Sequence, residues 1–189
     1  MKKLPKHKQF AFTVKHNGIV NSLITDVVIV SPKQIPNILF RDTRVKAIWD
    51  TGATHTAISQ TLANTLNLIP ISKRKTNTAN GIKDSNVYLV DIILPQGVGI
   101  ASVGVGEVIL PDGIDILIGM DIILRGDFSI TNCENQTCFS FRIPSSKEID
   151  YVKEIDRENE KIFTKVNKSQ AKKKRKQERK DRKKQKRKK

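Results

Sequence analysis

All ten glycines and all seven prolines of this 189-residue chain lie at or before Pro144, and the 45 residues that follow contain neither. Glycine and proline are the residues that let a backbone turn sharply or stop an element. The first part of the chain can therefore fold back on itself many times, whereas the second part has no such punctuation and favours continuous helix or an open tail. Charge divides at a similar place. Residues 171–189 hold fourteen of the 35 Lys and Arg and two of the nineteen Asp and Glu, a net of +12. Residues 1–170 keep 21 bases and 17 acids, so the body is only +4 and the overall +16 belongs mostly to the tail.

This distribution narrows the classes available. No apolar run approaches the roughly 18 residues that a membrane-spanning helix needs. Lys2, Lys3, Lys6 and Lys8 are followed by no apolar stretch of the kind a secretory signal carries, so a cytoplasmic location is expected. Two cysteines, Cys133 and Cys138, cannot build a disulfide scaffold or a four-ligand zinc site, and in a cytosolic chain they are expected as free thiols.

Within the body the pattern is one of short strands with turn signals every few residues. Phe10, Phe12 and Val14 alternate with smaller or polar residues, and Asn17-Gly18 offers a tight hairpin turn before the strand 24–30. Strands are also expected at 44–49, 101–110 and 115–118, with long hairpins over 73–94 and 127–142. Ser59 is a helix cap candidate for a short helix up to Pro70, and 120–124 has room for one or two helical turns. Many strands and little helix predict a mostly β, small, closed barrel-like domain over 9–144, preceded by a flexible stretch at 1–8. Ser145 and Glu148 fit a capping box, and Ile149, Val152, Ile155, Ile162 and Val166 fall on one face. These residues predict an amphipathic helix over 145–169, docked on the body or paired with another chain. Residues 170–189, rich in Lys, Arg and Gln, are expected to be a disordered basic tail.

The stretch Ala47-Ile48-Trp49-Asp50-Thr51-Gly52-Ala53 is an apolar strand ending in an acid, a hydroxyl residue and a glycine. It resembles the active-site loop of retropepsin-like aspartic peptidases. About seventy residues later, Ile116-Leu117-Ile118-Gly119-Met120-Asp121 is similar to that family's second signature. Between the two, Ala79, Asn80, Gly81 and Ile82 stand where the family has its flap tip. The resemblance extends from about Phe10 to Ile143 and implies a retropepsin (acid protease) fold. It further implies an aspartic endopeptidase with Asp50 as catalytic carboxylate and no metal or organic cofactor. Thr51 would bond across a subunit interface, Gly52 and Ala53 would support the active-site loop with it, and Ile118 and Gly119 would belong to the second signature. One Asp-Thr-Gly per chain is half a site, so the resemblance implies a homodimer acting on an extended polypeptide substrate. Two facing carboxylates share a proton, one serving as base and the other as acid.

Two positions depart from the retroviral pattern. The expected flap tip holds one glycine, and Met120 stands where retroviral members usually have Arg, an ending similar to that of non-viral members. Asp121 is read as a charge favourable to the short helix that begins there, and His16 and His55 as solvent-facing. The tail is outside the resemblance. Its fourteen bases without interleaved aromatics fit non-specific attraction to nucleic acid or another phosphate-bearing surface. A catalytically silent, dimeric peptide-binding module tethered to nucleic acid by residues 170–189 is the competing reading.

Overall fold

The computed structural model describes residues 8–32, 42–78 and 81–186. The expected flexible start (all but Lys8) and the tip residues Ala79 and Asn80 lie outside the described residues. The chain divides into two compact units, Met1–Ser146 and Lys147–Lys189.

Among its described residues the first unit contains ten strands and two short α-helices. In chain order they are β1 (Phe10–Lys15), β2 (Leu23–Val30), β3 (Asp42–Trp49), β4 (Ala57–Ile58), α1 (Gln60–Thr65), β5 (Ser72–Thr78) and β6 (Gly81–Leu94). They continue with β7 (Val98–Glu107), β8 (Ile116–Ile118), α2 (Met120–Ile123), β9 (Asp127–Thr131) and β10 (Cys138–Ile143). The larger sheet runs β2-β3-β8-β4-β7-β6-β5, and an additional β2–β6 pairing closes its first six strands into a barrel. β5 hangs outside that ring as one arm of a hairpin with β6, in register from Ser72↔Val87 to Thr78↔Gly81. The mostly β, closed-barrel expectation therefore holds. The two-residue strand β4 is too short to leave a sequence pattern, yet it bridges β7 and β8.

The expected hairpin at Asn17-Gly18 does not form between β1 and β2. β1 instead pairs antiparallel with β10, which pairs with β9 in a separate three-stranded sheet. Thr137 captures the turn: His16 N–H donates to its carbonyl at 2.9 Å, and its own N–H donates to Gly18 O at 3.0 Å. Val20 N–H adds a 3.1 Å bond to the Thr137 hydroxyl. Aromatic burial explains why the distant partner prevails. Phe12, Phe139 and Phe141 are almost fully buried and pack with Trp49 and Phe128 at centroid separations of 5.0–6.0 Å. A five-ring cluster of this kind contributes several kcal/mol, roughly 0.5–1.5 per pair beyond area burial. His16, expected in solvent, is drawn in to half-burial, and its Nε2 is buried without a partner among the described residues.

Helix α1 begins where Ser59 predicts, with its side chain accepting Leu62 N–H at 3.1 Å. It stops at Thr65, short of Pro70, because Asn67 takes a left-handed conformation at φ 49°. In the barrel wall the Tyr88 hydroxyl donates to Glu107 at 2.6 Å. Burial first, and then this bond, push the Tyr88 pKa up.

Among its described residues the second unit has one helix, α3 (Tyr151–Lys186). It starts later than expected and continues through the segment expected to be disordered. Asp150, not Ser145, caps it, accepting Lys153 N–H at 3.1 Å on Oδ1. Bonds from Lys153 lower the Asp150 pKa. The helix persists because Lys, Arg, Gln and Glu are good helix formers and nothing in the segment breaks it.

Candidate active site

Strand β3 carries its last residue, Trp49, into the core. There the indole N–H donates to the buried Thr25 hydroxyl at 3.0 Å. Alternation then turns the next residue outward, and Asp50 emerges half-buried at the barrel's rim. The sharp turn after it brings Gly52 N–H onto Asp50 Oδ1 at 2.8 Å. A Cβ on Gly52 would stand 3.2 Å from that same oxygen. The loop thus orients the carboxylate with its own backbone. Thr51 and Gly52 are exposed at the loop tip, and Ala53 is half-buried behind them.

The second signature lies directly against this loop. β3 and β8 run parallel with Trp49 opposite Ile118. Immediately beyond that pair, Asp50 N–H donates to Ile118 O at 3.0 Å. Ala53 N–H closes the turn on Asp50 O at 3.3 Å, and Ala53 O accepts Met120 N–H at 2.8 Å. Gly119 is required here by close approach: a Cβ would fall 2.6 Å from the His55 carbonyl carbon and 3.0 Å from Ala53 O. Asp50 and Ala53, and Ile118 and Met120 some seventy residues later, therefore form one hydrogen-bonded unit, with Gly119 tightly packed inside it. Of the expected flap tip, Gly81 and Ile82 begin β6, opposite Thr78 and Asn77.

Two residues that the sequence left without a site role hold the unit from behind. Asp121 Oδ1 accepts both the backbone N–H of Thr56, at 3.0 Å, and its hydroxyl, at 2.7 Å. The same hydroxyl accepts Gly119 N–H at 3.1 Å. Asp121 is indeed in the first turn of α2, but its carboxylate is committed to this cross-loop bond rather than left to the helix dipole. A Thr six residues after Asp50 and an Asp two after Gly119 carry no local pattern that would have paired them. Ser59 makes a parallel link, its N–H donating to Asp115 O at 2.8 Å.

Around Asp50 no ion pair forms among the described residues. No group of three or more His, Cys, Asp or Glu among the described residues is arranged to hold a metal ion. No helix of those residues is long and apolar enough to cross a membrane. Cys133 and Cys138 are free thiols.

Residues 37–125 match the sequence family described as gag-polyprotein putative aspartyl protease, a span that includes both signatures. No curated protein matches the chain. Among solved structures, a retropepsin-like aspartic protease from Rickettsia conorii is similar at 15% identity and a TM-score of 0.45, covering 74% of this chain and 98% of that one. The retroviral protease-like domain of Ddi1 from Leishmania major is similar at 19% identity and a TM-score of 0.39, covering 70% and 99%. Both the loop 50–53 and the Ile118-Gly119 signature lie inside the matched span, and the barrel domain of this chain resembles the retropepsin-like aspartic proteases.

Proposed function

We propose that this chain is an aspartic endopeptidase that works as a homodimer, each copy supplying one Asp50. The observation that carries the reading is the hydrogen-bonded unit of residues 50–53 and 118–120, which presents at the barrel's rim a half-buried carboxylate with no ion-pair partner among the described residues. One carboxylate alone is half of a proton-sharing pair, and a twofold-related copy supplies the other. In the first step the ionised member takes a proton from water, whose oxygen bonds to the scissile carbonyl carbon as the C=O π pair moves onto the carbonyl oxygen, to return when the C–N bond breaks. In the second, the protonated member gives its proton to the peptide nitrogen and the C–N bond breaks. The β5–β6 hairpin, with Gly81 and Ile82 at the start of its second arm, would close over an extended polypeptide and exclude water. Thr51, exposed in the single chain, would bond across the twofold axis.

The test is cleavage of a diverse peptide mixture between pH 4 and 7 by the wild type and by Asp50→Asn. Activity confined to the wild type, and rising faster than linearly with protein concentration, supports the reading. Equal silence from two folded, dimeric proteins contradicts it and favours the peptide-binding module. For the module's tether, the supporting observation is the fourteen bases of residues 171–189. Removing residues 170–189 would then flatten the salt dependence of nucleic-acid binding while leaving cleavage unchanged.

A further inference from the structure

Helix α3 presents an apolar stripe that nothing among the described residues of its own unit covers. Tyr151, Val152, Ile155, Ile162, Phe163 and Val166 are all exposed, from 44% to 69%. Most helical stability in proteins comes from packing such a face rather than from propensity, so a stripe of this size calls for a partner.

Its spacing specifies which partner. Val152, Asn159 and Val166 recur every seven residues, and Ile155, Ile162 and Ser169 follow each of them by three. These are the a and d positions of a coiled-coil seam, with one asparagine at a central a position. Beyond Ser169 the same positions are Lys173 and Lys176, so the seam ends where the basic run begins. Asn159 decides the orientation. An amide is both donor and acceptor, and its best partner on an apolar seam is another amide at the same level. Two helices in parallel register set Asn159 against Asn159. In an antiparallel pair, matching 152 with 169 sets it against Ile162 and leaves the amide unpaired.

The flanking charges agree. Parallel register brings Tyr151 beside Asp156, Glu158 beside Phe163, and Lys165 beside Gln170 of the other copy, with no like-charged contact among them. The polar face over 151–169 also mixes four acids with five bases, unlike the uniformly basic face of a helix that lies on anionic lipid.

We infer that residues 151–169 of α3 form a parallel, in-register, two-stranded coiled coil with a second copy of this chain. The two basic runs leave its end side by side and separate there by mutual repulsion. This pairing does not rest on the peptidase reading, since the helix can pair whether or not Asp50 cleaves anything.

The test uses the full chain carrying Asp50→Asn, Cys133→Ser and Cys138→Ser, with one new thiol on α3. Ser169→Cys places it in the seam and Lys168→Cys places it on the outer face. Under mild oxidation, Ser169→Cys is expected to form a symmetric interchain disulfide at least tenfold faster than Lys168→Cys. Equal rates, or no disulfide from either, would overturn the inference. Preferential cross-linking of mixed Val152→Cys and Ser169→Cys chains would also overturn it, by showing an antiparallel pair. Vesicles of phosphatidylcholine and phosphatidylserine provide a further arm. Uptake that Ile162→Lys abolishes, without seam cross-linking in solution, would assign the stripe to lipid and overturn the pairing. Asn159→Val gives a second readout: sedimentation should show larger assemblies replacing a strict dimer, and an unchanged distribution would contradict the role of Asn159.

Discussion

Thr56 gives both of its donors, backbone N–H and hydroxyl, to a single oxygen of Asp121, at 3.0 and 2.7 Å. Because the hydroxyl is spent on Asp121, its lone pair is fixed toward Gly119 N–H, 3.1 Å away. Thr56 is fully buried, so each of these groups would be costly to leave unmade. The arrangement locks the segment after Asp50 to the start of α2 and so fixes the loop 50–53 from behind.

Thr56→Val keeps the shape and removes the hydroxyl. It leaves Gly119 N–H without its acceptor and Asp121 with one bond fewer. A loss of about 1–3 kcal/mol is expected in denaturant unfolding. Thr56→Ser should recover most of that loss, since it restores the hydroxyl.

Glycine at 119 is needed for space. Gly119→Ala drives a Cβ to 2.6 Å from the His55 carbonyl carbon and 2.7 Å from its oxygen, backbone atoms that move only with the loop itself. The expected cost is about 1–3 kcal/mol or more, with peptidase activity falling alongside. Gly104→Ala is the control, because its nearest neighbour is a Val87 methyl at 3.9 Å. Thermal unfolding of the two variants should separate them clearly.

At Gly52 the expected consequence is different. The Cβ of Gly52→Ala meets only Asp50 Oδ1, at 3.2 Å, so the carboxylate has to give by a few tenths of an ångström while the core is untouched. Activity should fall by about tenfold or more with little change in melting temperature. A parallel loss of stability would show that the contact matters to the fold rather than to aiming the acid.

Asp127 gives the barrel domain a contribution to stability that is lost in acid. Its carboxylate bonds the Ser145 hydroxyl, the Arg142 guanidinium and Ser146 N–H. The Ser145 bond first, with the Arg142 and Ser146 bonds adding to it, lowers its pKa from 3.8 to about 2. A depressed carboxylate stabilises the fold above its unfolded pKa and loses that contribution as pH falls toward the folded one. Stability should therefore hold from pH 7 to about 4 and decline between about 4 and 2. Asp127→Asn should be less stable at pH 7 and flatter over that acid window, as measured by urea unfolding at a series of pH values.

What was legible in the sequence followed from local rules. Trp49 and Ile118 were placed by apolar runs, Ser59 by its capping chemistry, and Asp50 and Gly119 by their signatures. Contacts between distant residues were not legible. The Asn17-Gly18 turn looked like a hairpin because nothing nearby reveals that Phe12 packs among Phe139 and Phe141. The bond from Thr56 to Asp121 spans 65 positions and has no periodicity to announce it. The course of α3 beyond residue 169 has no apolar pattern to mark it, and only the helix propensity of its Lys, Arg and Gln residues favours it.

The central claim, that one active site takes an Asp50 from each of two copies, is tested most directly by mixing. Wild type and Asp50→Asn would be combined at constant total protein, allowed to exchange subunits, and assayed for peptide cleavage. If both carboxylates are required, activity follows the square of the wild-type fraction, reaching about a quarter in an equal mixture. Activity that falls only in proportion to the wild-type fraction would mean that each chain cleaves on its own, contradicting the shared site.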